Sequence, residues 1–213
     1  MGLKFNQTQG KAQKGAASYK FKDGENAIRI FGDVLPRYVY WLKTKDGKDI
    51  PMECLGFDRE KEKFTNLEKD WVREHFPELK CGWAYVIQGY DIAEKKVVVI
   101  NLKKRLFEQV INAAEDLGDP TDPDTGWDLV FKKVKTGPLP FNVEYNLQVL
   151  RCKKRALSDE ERELIAAAPT IDELVPRLTP DEQKKILEEQ VLGNEKDEEL
   201  PPEMAGKETP KDL

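Results

Sequence analysis

The segment WAYVIQGYDIAEKKVVVINL, residues 83–102, holds the strongest hairpin pattern in the chain. Two runs rich in β-branched and aromatic residues, 83–92 and 95–102, are joined by a short connection at Ala93 and Glu94. The consecutive apolar residues Val97 to Ile100 are typical of a strand that is buried on both faces. We therefore expect a pair of antiparallel strands within a β-rich domain.

Further strands are predicted on both sides of this hairpin. The candidate strands are residues 26–31, 37–43, 50–54, 127–135 and 141–151. Because proline cannot donate a hydrogen bond to a neighbouring strand, Pro51 makes residues 50–54 an edge strand. The first three of these runs, within residues 26–54, predict an antiparallel meander.

Helices are predicted between and after the strands. Apolar residues at helical spacing indicate a helix over 102–117, and the charged segment 57–80 indicates a helical insertion with a helix over 67–75. Thr65 or Asn66 is its candidate N-cap. Short helices are expected at 159–168, 171–175 and 180–192, the last with Thr179 as N-cap.

Together these elements predict a mainly β domain with helical insertions, an α+β fold. Five or more antiparallel strands in roughly 130 residues fit a small closed or partly open barrel. The OB-fold is the barrel of this kind most used to bind single strands. An SH3-like barrel and a sandwich stay open as alternatives.

Charge divides the chain into regions. Residues 1–157 carry 28 Lys and Arg against 23 Asp and Glu, whereas residues 158–213 carry 7 against 17. Every aromatic residue lies in the first region. We expect a flexible basic arm over 1–25 with Lys4, Lys11, Lys14 and Lys20, an OB-fold domain over 26–157, short helices over 158–193 and an acidic disordered tail over 194–213.

The order of several motifs resembles the single-stranded-DNA-binding protein of T-even-type phages. The motifs are residues 27–31 (AIRIF), the Trp83-Ala84 pair, Lys103-Lys104 followed by residues 111–113 (INA), Trp127 before residues 129–137 (LVFKKVKTG), and the acidic C-terminus. The resemblance implies an OB-fold that coats single-stranded DNA in phage replication, recombination and repair. It also implies an acidic tail that competes with DNA and recruits replication and recombination proteins, with self-association along DNA.

The predicted DNA contacts are basic residues for the phosphates and aromatic residues for stacking on bases. They are Arg29, Arg37, Tyr38, Tyr40, Lys43, Tyr85, Tyr90, Lys103, Lys104, Phe131, Lys133, Lys135, Lys153 and Lys154. The alternative for Tyr38 and Tyr40 is that both pack in the core while Val39 and Trp41 face outward. Because Tyr85 and Tyr90 point to opposite faces of one strand, at most one of them should stack.

Catalysis is not expected, because the chain has no glycine-rich phosphate loop and no Gly-x-Ser-x-Gly elbow. The carboxylates of Asp91, Glu94 and Glu144 leave a metal-dependent nuclease as a weaker alternative. No cofactor is predicted. A zinc site from Cys54, His75 and Cys81 lacks a fourth ligand, whereas the T-even family carries a structural zinc held by one His and three Cys.

The remaining expectations concern partners and location. No apolar run is long enough for a membrane span, and the three cysteines fit reduced thiols, so a cytoplasmic protein is expected. Single-stranded DNA is the predicted partner. Stacking and phosphate contacts serve RNA equally well, so an RNA-binding or protein-interaction module remains an alternative.

Overall fold

A computed structural model describes residues 17–139 and 142–192 of the chain. The predicted arm residues Lys4, Lys11 and Lys14, the strand residue Phe141 and the acidic tail 194–213 lie outside the described residues. Within them, the protein is an α+β structure dominated by antiparallel strands, as predicted.

The strands and helices follow the predicted order. The strands are β1 (Gly24–Leu35), β2 (Tyr38–Lys43), β3 (Asp49–Glu53), β4 (Phe57–Asp58), β5 (Lys63–Phe64), β6 (Gly82–Trp83), β7 (Val86–Asp91), β8 (Lys96–Asn101), β9 (Leu129–Lys135) and β10 (Val143–Leu147). The α-helices are α1 (Trp71–His75), α2 (Lys104–Leu117), α3 (Asp159–Ala166), α4 (Ile171–Leu174) and α5 (Pro180–Leu187). A 3-10 turn spans Val149–Arg151 and a π-helical turn spans Glu188–Leu192.

The strands form a five-stranded sheet in the order β10-β9-β1-β7-β8, a three-stranded sheet in the order β3-β2-β6, and the small hairpin β4–β5. All strand pairs are antiparallel, and the hairpin β7–β8 pairs Ile87 with Ile100, which confirms the central prediction. The edge position predicted for β3 is also confirmed. The meander predicted over 26–54 is wrong, because β2 pairs with β3 while β1 pairs with β7 and β9 in the other sheet. A closed barrel is wrong, because β10 and β8 lie at opposite edges of an open sheet.

Both edges of the five-stranded sheet are covered by other parts of the chain. At β8, the amide of Tyr19 donates to the Val99 carbonyl over 2.8 Å, and Val99 donates to Ala17 over 3.1 Å. At β10, the side chain of Gln109 accepts from the Leu147 amide over 2.7 Å. Residues 17–25, which the sequence assigned to the arm, thus pack on the domain, with Tyr19 buried. Covered edges prevent strand-to-strand association.

The main core lies between the five-stranded sheet and α2. Ile28, Leu129 and Phe131 of the sheet pack against Leu106 and Val110 of the helix. The helix ends at Gly118, whose φ of 79° is the left-handed conformation that glycine adopts without strain. The bounds of α2 confirm the predicted helical spacing.

Strand β8 is buried less evenly than predicted. Val98 and Ile100 are buried in the main core, whereas Val97 and Val99 on the opposite face are only half-buried. The opposite face packs more loosely, with Val99 beside Leu35. A strand buried fully on both faces is therefore wrong for β8.

A second core forms where the three-stranded sheet meets α1 and α5. Tyr40 and Met52 pack there with Val72 of α1 and Leu187 of α5. The predicted helix 67–75 is shorter: it begins at Trp71, with Asp70 as the N-cap instead of Thr65 or Asn66. The segment 57–80 instead begins with the hairpin β4–β5.

The C-terminal helices belong to the folded body. Helix α5 begins with the predicted capping box of Thr179 and Glu182. Its Gln183 side chain donates to the Glu53 carbonyl over 2.9 Å and accepts from the Trp71 amide over 2.7 Å. Among residues 17–139 and 142–192, no helix has the length and apolar composition that crossing a bilayer requires.

Candidate nucleic-acid interface

A cluster of aromatic rings surrounds Tyr38 where the two larger sheets meet. Its ring centroid lies 4.8 Å from Phe57, 5.0 Å from Phe64, and 6.3 Å from both Trp83 and Tyr85. Phe57 and Tyr85 are buried, Tyr38 and Trp83 are half-buried, and Phe64 is 50% exposed. The cluster therefore has a buried base and an outer layer of accessible rings.

Trp83 joins this cluster to the start of α2. Its ring stacks on Tyr85 with centroids 3.5 Å apart, and it lies 5.5 Å from Phe107. Its indole N–H donates to the Leu102 carbonyl over 2.8 Å. Burial of the phenol raises the pKa of Tyr85 to about 12, so this hydroxyl is neutral at physiological pH. These contacts fix the orientation of the half-buried Trp83 and Phe107 rings.

A second aromatic group lies on the other side of the α2 N-terminus. Phe21 makes edge-on contact with Tyr145 at 5.0 Å and with Tyr19 at 5.3 Å, and lies 5.9 Å from the buried Phe131. Phe21 and Tyr145 are half-buried. They are the accessible members of this group.

Basic residues lie between the two groups. The ammonium of Lys103 is 5.6 Å from the ring centroid of Phe21, while the neighbouring Leu102 carbonyl binds Trp83. Desolvation lowers the pKa of Lys103, because its surroundings penalise the charge. An anion bound beside this ammonium would relieve that penalty.

The first turn of α2 concentrates positive charge. Lys103, Lys104 and Arg105 occupy its start, the turn contains no acidic residue, and within the described structure no side chain caps it. Because a helix N-terminus is already the positive end of the helix dipole, this arrangement is locally unfavourable. It creates a site suited to an anion such as phosphate.

Two more lysines lie near Phe21 and Tyr145. Lys133 is paired across the strands with Tyr145, and its ammonium binds the Asp23 carboxylate at 2.7 Å. The hydrogen bond to Asp23 raises the pKa of Lys133. Lys135 lies two residues further along the same face and is exposed.

We define the aromatic strip as the accessible rings of both groups. Its members are Tyr145, Phe21, Phe107, Trp83, Tyr38 and Phe64. The strip has accessible π-faces on both sides of a cationic helix start. Stacking bases and anionic phosphates are the ligand chemistry that such a surface accommodates.

The chain is similar to a known protein. A curated relative from Escherichia phage T5, named "Probable ssDNA-binding protein", is 26% identical to this chain. The alignment covers 92% of this chain and 89% of the relative. The similarity thus extends across the folded body, strip included.

No protein-family model matches the chain. The resemblance to the T-even-type proteins, which rests on the order of short motifs, therefore stays a prediction.

The structure brings some of the predicted contact residues together. Tyr38 is in the strip, Lys103 and Lys104 lie at its centre, and Lys133 and Lys135 lie at the Phe21 end. Their role as DNA contacts stays a prediction. Their exposure and proximity are compatible with it.

The prediction that Arg29 contacts a phosphate is wrong. Its side chain is 0% exposed, and its guanidinium donates to the Asp122 carbonyl over 2.7 Å and to the Arg155 carbonyl over 3.2 Å. It also lies 3.5 Å from the Asp128 carboxylate. Burial among these groups leaves no surface for a phosphate.

The prediction of base stacking is wrong for four residues, also because they are buried. Tyr40, Tyr85, Tyr90 and Phe131 are all buried, so no base can reach their ring faces. For β2, the alternative in which Tyr40 packs in the core and Trp41 faces outward is confirmed for these two residues, since Trp41 is 57% exposed. Val39, which the same alternative placed outside, is buried. The Tyr40 hydroxyl lies 3.3 Å from both the Cys54 thiol and an Asp70 carboxylate oxygen, which supplies its buried partners.

Of the other predicted basic residues, Arg37 adjoins the strip beside Tyr38, whereas Lys43, Lys153 and Lys154 lie away from it. Arg37 is half-buried and donates to the Ala84 carbonyl over 3.3 Å. Lys43 is exposed on the face of β2 opposite Tyr38. Lys153 and Lys154 follow the 3-10 turn, and Lys154 pairs with Trp127, whose indole binds Gly118 at the C-terminal end of α2. The 14-residue helix separates them from Lys103 by about 20 Å.

The carboxylates considered for a nuclease are separated. Asp91 and Glu144 lie on β7 and β10, which are three strand spacings or about 14 Å apart across the sheet, and their registers on β9, at Leu129 and Val134, separate them further along the strands. Asp91 accepts from the Ala93 and Glu94 amides, and Glu144 pairs with Arg105. Across residues 17–139 and 142–192, no group of His, Cys, Asp or Glu side chains is arranged to hold a metal ion.

Sequence reasoning missed much of the strip. Phe21, Phe64, Trp83 and Tyr145 were not selected as contacts. Phe107, whose periodicity indicates a core residue, does pack against the main core and is half-buried there. An available signal was the position of Tyr19 and Phe21 within an otherwise polar arm. Aromatic residues are unusual in a segment that has nothing to bury.

Proposed function

We propose that this protein binds single-stranded DNA with little sequence preference, through the aromatic strip. The observation that carries the proposal is the placement of half-exposed rings on both sides of the cationic start of α2. The name of the phage T5 relative supports the same ligand. The proposed activity is binding, not catalysis.

Each part of the strip has a proposed role. Lys103, Lys104 and the first amides of α2 bind phosphates, and Lys133 and Lys135 continue the contact toward Tyr145. Phe64, Trp83 and Phe21 stack on bases, and each stack contributes about 1–3 kcal/mol. Stacking is tolerant of sequence because every base has a π-face.

Finer roles extend this proposal. A protein of this kind protects single strands during phage DNA replication, recombination and repair in the host cytoplasm, with self-association along DNA. The mainly β body acts as an OB-like binding domain. The acidic tail 194–213 competes with DNA for the strip and recruits replication and recombination proteins when released.

Fluorescence anisotropy of a labelled dT oligonucleotide, against duplex of equal length, tests the proposal on the full-length protein. We expect tight binding to the single strand. If about four to six phosphates are contacted, the affinity should fall with a log–log salt slope of roughly −3 to −4. Phe64→Ala should weaken binding by about 5- to 100-fold.

Trp41→Ala is the matched control, because Trp41 is an equally exposed aromatic residue on the other face of β2. This substitution should change the affinity for DNA less than twofold, as expected for a surface residue outside the binding site. Equal losses in both variants would place DNA elsewhere. Absence of single-strand binding, or a flat salt response, would overturn the proposal and favour a protein partner; tighter binding to rU than to dT would favour RNA.

A further inference from the structure

We propose that Arg177, from the C-terminal region, is a positioning residue for the aromatic strip, because it holds the hairpin β4–β5 that presents Phe64. The consequence for DNA rests on the proposed function. The holding of the hairpin rests on contacts within the protein alone.

The hairpin β4–β5 is too short to hold itself in place. Its strands pair Phe57 with Phe64 and Asp58 with Lys63, and next to them the Gly56 carbonyl accepts from the Thr65 and Asn66 amides, both over 3.0 Å. Isolated hairpins are marginally stable in water even when they are longer. On the strip side, Phe57 and Phe64 contact Tyr38. Its position therefore depends on support from the opposite side.

That support is centred on Glu53, whose side chain is only 4% exposed. Arg59 in the hairpin turn donates two hydrogen bonds to the Glu53 carboxylate, over 2.7 and 2.5 Å. Arg177 lies 3.2 Å from the same carboxylate. A buried carboxylate needs such partners, so both arginines are fixed by it.

Arg177 also binds the chain that enters the hairpin. Its guanidinium donates to the carbonyls of Leu55 and Phe57, both over 3.1 Å, and to the Glu68 carboxylate over 2.9 Å. Leu55 precedes the hairpin, Phe57 is the first residue of β4, and Glu68 follows the hairpin. The planar guanidinium with five donors is the one side chain that can join them all, and lysine cannot reproduce this geometry.

The support comes from a region more than 100 residues away in sequence. Arg177 lies between α4 and α5, and the nearby Val175 carbonyl accepts from Arg59 over 3.3 Å. α5 in turn is fixed to α1 and β3 through Gln183. The C-terminal helices thus set the position of one end of the strip.

A double-mutant cycle tests the inference with full-length protein and the dT oligonucleotide. Arg177→Gln should lower the affinity by roughly 3- to 30-fold, but by less than about twofold in a Phe64→Ala background. A residue that acts through Phe64 has no further effect once that ring is gone. If Arg177→Gln lowers the affinity as much in the Phe64→Ala background as in the wild-type protein, the inference is overturned.

Amide hydrogen exchange gives a second measurement that needs no DNA. Exchange at residues 57–64 should rise at least about tenfold in Arg177→Gln, while the amides of β7 and β8 keep their protection. Unchanged exchange at 57–64 would overturn the inference. If the wild-type protein binds no single strand, the proposed function fails, and exchange alone decides whether Arg177 holds the hairpin.

Arg162→Gln is the matched control, because Arg162 is another C-terminal arginine that binds a carboxylate, Asp124 at 2.6 Å, and the Leu157 and Pro123 carbonyls. It should leave the affinity and the exchange at 57–64 unchanged. If Arg177→Gln does not fold by circular dichroism, Arg177→Lys replaces it in the cycle, with the same expected pattern and a smaller loss.

Discussion

Arg29 is a basic strand residue with a structural role in the interior of the protein. Its guanidinium joins the chain at Asp122, Asp128 and Arg155, and Arg155 pairs in turn with Asp128 at 2.7 Å and Glu161 at 2.6 Å. The hydrogen bond to Glu161 is the main reason that the pKa of Arg155 is raised. The network anchors the residues after β10 and the start of α3 to the sheet.

Arg29→Met should therefore lower the free energy of unfolding by about 2–4 kcal/mol, because it leaves buried carbonyls and part of the Asp128 charge without a partner. Urea denaturation at neutral pH measures this loss. The salt slope of DNA binding by the folded variant should not change. A reduced slope without a loss of stability would restore Arg29 as a phosphate contact.

The Cys54 thiol predicts how stability depends on alkaline pH. Burial raises the pKa of Cys54 from its ordinary 9.0 to about 12. Because the folded state holds the proton more tightly, its contribution is complete below pH 9 and is lost as the pH rises from about 9 to 12. Urea unfolding between pH 8 and 11 should show a steeper fall for the wild type than for Cys54→Ala. Parallel curves would contradict the assignment.

At the scale of elements, α2 combines a structural and a proposed binding role. Leu106 and Val110 pack in the main core. Lys103 and Lys104 place positive charge at the helix N-terminus, which is already the positive end of the helix dipole. Local rules of helix design are broken mainly at functional sites. The positive charges at the start of α2 therefore lower the stability of the helix, as expected for a helix N-terminus that binds phosphate.

Lys104→Glu should raise the free energy of unfolding by about 0.3–1 kcal/mol, since a negative charge suits the helix N-terminus. The same change should weaken single-strand binding by roughly tenfold or more, because it places a carboxylate where a phosphate binds. Thermal denaturation and anisotropy measure the two effects.

Lys153→Glu is the charge-matched control, located near the other end of α2. It changes the net charge equally and should weaken binding much less at 0.15 M salt, where the Debye length of about 8 Å screens a charge about 20 Å away. Equal losses would mean that DNA extends along the helix to Lys153 and Lys154.

At the scale of the whole molecule, the C-terminal helices are inseparable from the body. Leu187 of α5 is 0% exposed in the second core, and Ile171 of α4 is buried against Leu35 and Val86. Glu161 of α3 binds Arg155. Removing these helices would uncover two hydrophobic surfaces at once.

Two truncations distinguish the helices from the acidic tail. A chain ending at Arg155 should fail to fold cooperatively, because loss of one buried leucine alone costs about 2–5 kcal/mol. A chain ending at Leu192 should keep the wild-type melting temperature within a few degrees and bind dT more tightly at low salt. A stable protein ending at Arg155, or unchanged affinity after removal of 193–213, would contradict these expectations.

Elements with local signals could be predicted from the amino-acid sequence. Alternation and helical spacing predicted β7, β8 and α2, and Thr179 with Glu182 predicted the start of α5. The N-terminus of α1 was missed, although Asp70 is a preferred N-cap residue and accepts locally from the Arg73 amide over 3.2 Å. The other partner of Asp70, the Leu55 amide at 2.9 Å, is distant in sequence. Such a partner cannot be read from neighbouring residues.

Tertiary structure alone decided which aromatic and basic residues are accessible. Alternation divides a strand into two faces, but only the packing partner determines which face is covered. Helix α5 covers the Tyr40 face of β2 and leaves Trp41 exposed, whereas Phe21 and Tyr145 meet from opposite ends of the domain's sequence. The strip joins residues from positions 21 to 145, and contacts over that separation arise only when the chain folds.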